Sequence, residues 1–389
     1  MVRERTTVVV VGGGPAGLTL ASLLRRCDVP CVVLEVRTRE HIEKRQRAGI
    51  VEYQAARMLE GWGLADRLLG SAPVGGRLEL RVDGVPNLIG DDAIGGIMCP
   101  QQVLVRNLIE LVLEDGGDLR FGAAEVALHD VTGEQPTVSY RDAEGVRHEI
   151  SCDFVAGCDG FHGVSRTAVP EGAVTVYNHD YGGASWLTVL ADTAPYRHPL
   201  IAVSDRGFAA QFARGPAASR FYLQCAAGDT EADWPEERIW TQLRASLGDP
   251  GLQAAPVTET EVFAHRSVVH DPMSHGRLFL VGDAAHIISP LGGKGMNLAL
   301  HDADVLARAL RTFTRDGDES GLRDYSRDCL PRVWNCQEFC DWFFETTHSA
   351  GDTTPAASYR RGLARARLSR MTGSATAARL YAEQMAGLA

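Results

Sequence analysis

The chain lacks a positive charge balance, a long apolar run and any metal-like cysteine spacing. Each absence removes a class of function. Lys and Arg number 39 against 50 Asp and Glu, a formal charge of -11, which argues against nucleic acid or an anionic membrane as partner. No apolar stretch reaches the roughly 18 residues that a membrane helix needs. The apolar N-terminal stretch has no signal-peptide cleavage pattern, so a cytoplasmic location is expected. Nine cysteines, an odd number, suit a reducing compartment better than a disulfide framework. No internal repeat, composition-defined linker or Ser–His–Asp array is visible. What remains is a 389-residue chain, 45% apolar and 23% charged, long enough for about two and a half globular domains of roughly 100–200 residues each.

The first forty residues are the most informative. Thr6 to Val11 is a short β-branched run, the pattern of a strand buried on both faces of a parallel sheet. It leads into Gly12-Gly13-Gly14-Pro15-Ala16-Gly17, then a helical pattern from Leu18 to Leu24, then a second strand, Cys31 to Leu34, ending in Glu35. This is a βαβ unit with a Gly-x-Gly-x-x-Gly turn. Gly12 permits the tight turn, Gly14 the approach of backbone to a pyrophosphate, and Gly17 close helix–strand packing. Pro15 suits the first helical position, and the N–H groups around Ala16 face a phosphate. Glu35 is placed to accept from ribose hydroxyls. The motif alone does not separate FAD from NAD.

Two later motifs do. Cys158-Asp159-Gly160-Phe161-His162-Gly163 follows the apolar strand Phe154 to Gly157. Gly282-Asp283-Ala284-Ala285-His286 follows Leu278 to Val281 and runs through Pro290 to Lys294-Gly295-Met296-Asn297. An aspartate at a strand's carboxyl end can bind ribityl hydroxyls, and a glycine-rich helix start can stabilise a reduced flavin. Between the α/β segments, the stretch from Gly182 to about Phe263 reads as mostly β with one helix near Glu236 to Leu247. After Leu322 the pattern is helical.

On these residues the chain resembles the p-hydroxybenzoate hydroxylase family, the single-component flavoprotein aromatic monooxygenases. GRLFLVGDAAH, CDGFHG and Gly373-Ser374 carry the resemblance over nearly the whole length. It implies an α/β fold, the glutathione-reductase-like FAD-binding fold, with an inserted β-rich substrate domain and a helical C-terminal region. The expected boundaries are 1–181 and 264–350 for a discontinuous FAD domain with a small β excursion near 73–97, 182–263 for the substrate domain, and 351–389 for C-terminal helices. The implied FAD contacts are Gly12, Gly14, Pro15, Ala16, Gly17, Glu35, Arg45, Arg47, Gln101, Asp159, Asp283, Gly295, Met296 and Asn297. Arg45 and Arg47 also read as solvated charge, although RxRAG suits a phosphate clamp. No second dinucleotide unit exists, so NADPH or NADH is expected on the surface at His162, Arg266 and Arg45. The segment Val36 to His41 departs from the NADPH-selective pattern and leaves the choice open.

The resemblance places the substrate on Arg214, Arg220, Tyr222 and Pro290, with Pro290 and Lys294 near flavin and substrate and no residue assigned as a certain catalyst. Arg214 would pair with a carboxylate; the serine that usually shares it is Phe212. The family prototype deprotonates a phenol through two tyrosines and a histidine. The matching positions are Ile201 (or Ala202, with a one-residue slip), Met385 and Gly75, so the relay is missing, with Tyr381 one helical turn before Met385. Trp186, Cys336 and Cys340 read as core, and His265 and His270 have no partner at telling spacing. The implied reaction uses NAD(P)H and O2 to hydroxylate a benzoate-type substrate through a C4a-hydroperoxyflavin. An amino- or amino-hydroxybenzoate such as 3-amino-4-hydroxybenzoate is expected, because an amino group activates the ring without losing a proton. Alternatives are 4-hydroxybenzoate 3-monooxygenase proper, an FAD oxidase or dehydrogenase on the same scaffold, or a ligand-binding module that has lost its chemistry. The partner expected is a small aromatic carboxylate, with a homodimer as the assembly considered, and neither metal, nucleic acid nor membrane.

Overall fold

Val8, Val9, Val10 and Val11 are each at most 3% exposed, as a β-branched run covered on both faces requires. Burying each such side chain contributes about 1.5–3 kcal/mol. The computed structural model describes residues 2–44, 49–70, 72, 74–75, 77–90, 96–348 and 354–388. The chain divides into two units, the first formed by Met1–Pro73, Ile97–His179 and Ser267–Gln337, the second by Val74–Gly96, Asp180–Arg266 and Glu338–Ala389.

The first unit is built on a parallel sheet. Strands Leu278–Leu280, Arg147–Gly157, Val2–Val11, Cys31–Glu35 and Asp118–Phe121 lie side by side in that order, all parallel. Arg147–Gly157 divides one of its edges. Its first half pairs with antiparallel Thr137–Arg141, its second with Leu278–Leu280. Register then aligns the strand ends: Val11 sits opposite both Leu34 and Gly157, and Gly157 opposite Leu280. Helix Pro15–Arg26 begins at its proline and is buried from Ala16 to Leu24. It packs against helices Gln101–Glu114 and Lys294–Asp316. Arg25 and Arg26 in its last turn complement the helix dipole.

The second unit contains an antiparallel-rich sheet. Its strands run Val257–Asp271, Thr175–Ala191, Ala218–Ala226, Gly207–Gly215, Leu200–Ser204, Arg77–Val82 and Val85–Gly90, as far as each lies in this unit. Alternation gives the sheet two faces. Leu187, Val189, Ala209, Phe221 and Leu223 point into a core with Trp240, Leu243 and Leu247 of helix Glu236–Leu247. That helix ends at Gly248, whose φ of 64° is the left-handed conformation of a glycine stop. Trp186, Tyr222 and Phe212 belong to the other parity.

Two boundaries differ from the sequence expectation. The β excursion near 73–97 falls largely in the second unit, because Arg77–Val82 pairs in parallel with Leu200–Ser204. The C-terminal helices Pro355–Gly373 and Ala375–Met385 also belong to the second unit, together with Glu338 to Thr347. Long-range pairing of this kind leaves no periodic trace in the chain. Among the described residues, no helix is long and apolar enough to cross a membrane.

Candidate functional site

In the first unit, the aligned strand ends bring the sequence motifs together. Gly12, Glu35, Cys158-Asp159 and Val281-Gly282-Asp283 terminate four adjacent parallel strands, and Gly12 N–H donates to Leu34 O at 2.7 Å. In open α/β sheets, ligands bind outside these carboxyl ends. The glycines divide by their surroundings. At Gly12, where φ is 109°, a Cβ would lie 2.4 Å from the Cys158 carbonyl oxygen. At Gly17 it would lie 2.0 Å from the Gly12 oxygen. At Gly14 it would meet no protein atom within 4 Å. Two of these glycines are therefore demanded by packing, and the third leaves open space beside backbone.

Helix Pro15–Arg26 starts at Gly14 and helix Lys294–Asp316 at Gly293, and neither has a side-chain cap. Their first-turn N–H groups are thus available to an anionic ligand. Glu35 is 7% exposed and accepts one N–H on each oxygen, from Gly13 and from Arg37, both at 2.7 Å. Asp159 accepts from the Ser165 amide and hydroxyl through Oδ2, while its buried Oδ1 has no partner among the described residues. Burial raises the Asp159 pKa, and the hydrogen bonds from Ser165 oppose that rise. Gly163 makes room for this carboxylate, since a Cβ there would lie 2.0 Å from its Cγ. Asp283 is exposed in the turn Gly282–Ala284, 3.9 Å from where a Cβ of Gly295 would stand. Uncapped helix starts, an open glycine and an orphaned buried oxygen fit a dinucleotide with a pyrophosphate and ribose-type hydroxyls.

Several expected residues have further duties. Arg45 and Arg47 lie outside the described residues. The neighbouring Gly49 packs against the start of helix Gln101–Glu114, for its Cβ would lie 2.5 Å from the Gln101 nitrogen. The Asn297 side chain is spent on protein: Oδ1 accepts from Glu52 N–H at 2.9 Å, and Nδ2 donates to Ile50 and Gly293. Lys294 is 1% exposed and donates to Glu52 at 2.7 Å. Arg332 donates to the other Glu52 oxygen at 2.9 Å. Sequence reasoning missed Glu52 and Arg332, because a single acid and a single helical arginine carry no local signal. Pro290 is exposed, and so is His162, whose ring lies edge-on to Phe161.

In the second unit, Arg214 donates to the Ala213 carbonyl at 2.9 Å and to the Tyr222 hydroxyl at 3.2 Å. Its Nε is buried without a partner, and among the described residues no carboxylate pairs with it. Burial lowers its pKa, with Tyr222 opposing and Arg220 adding to the effect. Arg220, by contrast, is committed: it donates to Glu259 at 3.0 Å and to Thr188 at 3.2 Å. Phe212 stands edge-on to Tyr222. Tyr381 is 3% exposed, packs on Phe339 and Phe343, and its hydroxyl has no partner among the described residues. Arg266 is exposed.

Known proteins give this arrangement a family. Residues 5–340 match the family model described as FAD binding domain. The chain is 34% identical over 393 residues to a p-hydroxybenzoate hydroxylase of Acinetobacter baylyi, covering 99% of this chain and 96% of that one. It is 29% identical to a 3-amino-4-hydroxybenzoate 2-monooxygenase of Streptomyces platensis, over 85% of each chain. Among solved structures, a p-nitrophenol 4-monooxygenase of Pseudomonas putida superposes with a TM-score of 0.82 at 20% identity, covering 100% of this chain and 99% of that one. The last similarity shows the fold; the family match and the 34% identity over nearly the whole chain show the family. The chain belongs to the p-hydroxybenzoate hydroxylase family and is an FAD-dependent aromatic monooxygenase.

Proposed function

We propose that the protein hydroxylates a small aromatic carboxylate, with an amino- or amino-hydroxybenzoate such as 3-amino-4-hydroxybenzoate as its preferred ring. Arg214 carries the reading: a largely enclosed guanidinium, bonded to a tyrosine hydroxyl, with a spare N–H and, among the described residues, no carboxylate paired with it. A planar fork of this kind suits a carboxylate ligand.

The choice of ring rests on proton accounting. A phenol with a pKa of about 10 needs an acceptor before it activates the ring as phenolate. Ile201, Ala202, Gly75 and Met385 offer none. Tyr381 is a poor replacement, because burial raises its own pKa and so keeps it protonated. An amino substituent releases electron density into the ring without that transfer. The similarity to a Streptomyces platensis enzyme named for 3-amino-4-hydroxybenzoate supports this ring. The higher, full-length identity to the Acinetobacter enzyme supports a second reading, 4-hydroxybenzoate itself.

In this proposal Gly12, Gly14, Glu35, Asp159, Asp283 and the Lys294 to Asn297 helix start would hold FAD, and the phosphate-clamp role expected of Arg45 and Arg47 falls outside the described residues. When bound, FAD supplies the redox chemistry that joins a nicotinamide, O2 and the ring. The chain's own residues cradle phosphate at the Gly14 helix start, offer the Gly293 helix start to the flavin ring, hold hydroxyls at Asp159 and Asp283, and fix the acid end of the substrate at Arg214 and Tyr222. The exposed His162 and Arg266 are the proposed nicotinamide contacts, suited to transient binding.

NAD(P)H consumption across substituted benzoates, with product mass, tests the function. The expected result is a higher kcat/KM for 3-amino-4-hydroxybenzoate than for 4-hydroxybenzoate. Better turnover of the plain phenol, with full coupling of cofactor oxidation to product, would establish the second reading instead.

A further inference from the structure

In the second unit, a directional chain of hydrogen bonds stands behind the Arg214–Tyr222 pair. Trp186 is 3% exposed, and its indole Nε1–H donates to His348 Nε2 at 2.6 Å. An indole nitrogen only donates, so His348 Nε2 must be the unprotonated nitrogen. At the other end, the Thr347 hydroxyl donates to the Phe343 carbonyl at 2.8 Å. Its oxygen is therefore left to accept from His348 Nδ1–H, also at 2.8 Å. Both termini dictate the same tautomer: neutral, with the proton on Nδ1.

The surroundings favour that state. The His348 ring stacks on Phe344 at 4.2 Å between centroids and on Phe208 at 4.5 Å. Burial holds its pKa well below the ordinary histidine value, and His265 adds to the effect. His265 itself stands edge-on to Trp186 at 4.5 Å and is lowered to about 3 by burial. Neither ring carries charge at neutral pH.

What the bond secures is the indole. Trp186 lies at 5.0 Å from the Tyr222 ring in an edge contact, and Tyr222 accepts from Arg214 through its hydroxyl. We propose that His348 is a positioning residue: by anchoring the Trp186 indole it sets the ring of Tyr222, and so the geometry of the hydroxyl and guanidinium that receive the substrate's acid group. This rests on the assignment of Arg214 and Tyr222 to the substrate carboxylate. His348 acts through two aromatic neighbours and donates nothing to substrate.

The test compares holoenzymes carrying His348→Gln and His348→Leu. A glutamine oxygen can accept from the indole, whereas leucine fills space without an acceptor. The Trp186 indole N–H resonance, assigned with Trp186→Phe, should shift and exchange faster in the leucine variant and keep its place in the glutamine variant. KM for the acid substrate should rise about tenfold in the leucine variant, because a displaced Tyr222 and Arg214 would weaken one charge-assisted hydrogen bond to the carboxylate. The effect on kcat should be small, and the glutamine variant should recover most of the affinity. An unchanged KM together with a displaced indole signal would overturn the proposal. If the leucine variant does not fold, Trp186→Phe removes the same bond and should raise KM alike; an unchanged KM there would equally refute it. Arg214→Ala separates the two ideas. Should that change leave KM for the acid unaltered, the carboxylate assignment itself has failed.

Discussion

His286 Nε2 and Asp302 Oδ2 are 2.7 Å apart, in a pair whose side chains are at most 1% exposed. The same carboxylate oxygen accepts the Gly282 N–H at 2.9 Å, so it holds both ends of the turn that presents Asp283. Gly282 has a φ of 63°, and a Cβ there would lie 2.9 Å from Ala299. The turn is therefore braced by an ion-pair geometry, a glycine and a helix contact at once. Burial acts to lower the His286 pKa, but the Asp302 carboxylate, together with Asp283 and a backbone hydrogen bond, raises the value overall.

That sign gives the first prediction. A histidine whose folded pKa exceeds its unfolded value of about 6.5 contributes stability that is fully present below the unfolded pKa and lost as pH rises through the folded pKa. The stability difference between parent and His286→Asn should be largest below about pH 6 and shrink at alkaline pH. Chemical denaturation at several pH values measures it. Asp302→Asn, which strands a buried imidazole, should cost about 3–5 kcal/mol.

Gly14 and Gly17 should separate cofactor loss from fold loss. Gly14→Val places a side chain in open space, at a φ of -80° that any residue adopts. Its apoprotein should melt within a few degrees of the parent apoprotein while its flavin content falls sharply. Gly17→Ala, with a methyl 2.0 Å from a carbonyl oxygen, should lower Tm whether or not FAD is added. Thermal melts and flavin absorbance, taken together, distinguish the two.

Arg214→Ala should raise KM for the acid substrate by a factor equivalent to about 2–5 kcal/mol, because a desolvated carboxylate would lose its charge-assisted partner. The corresponding amide should bind poorly to the parent and be little affected by the change. Arg214→Lys should restore affinity only in part, since a point charge does not reproduce the fork. Steady-state kinetics with acid and amide provides the comparison.

Tyr381→Phe removes a buried hydroxyl that finds no partner among the described residues. Stability should stay the same or rise by up to about 1 kcal/mol, because no hydrogen bond is lost. Turnover of phenolic substrates should keep its pH profile. An alkaline shift of that profile would assign Tyr381 to proton transfer.

The local motifs of this protein are legible because their physics is local. A β-branched run, three glycines, a proline and a terminal acid specify strand, turn, helix and strand within about thirty residues, and the structure has each in place. The aspartates of the two later motifs are readable in the same way, as acids following short apolar strands. Which strands lie side by side was decided by tertiary structure. Only the pairing of Val11 with Leu34 and Gly157, and of Gly157 with Leu280, levels the strand ends so that the motifs meet. The buried charges belong to the same category. Glu52 joins Lys294 and Arg332 across more than 240 residues of chain, and no periodicity encodes such a triad. The bond between Trp186 and His348 spans 162 residues; Trp186 alone reads as core, and nothing near His348 in the chain points to it. Backbone conformation follows from neighbours a few residues away, whereas the partner of a desolvated polar group is whatever the folded chain brings within about 3 Å of it.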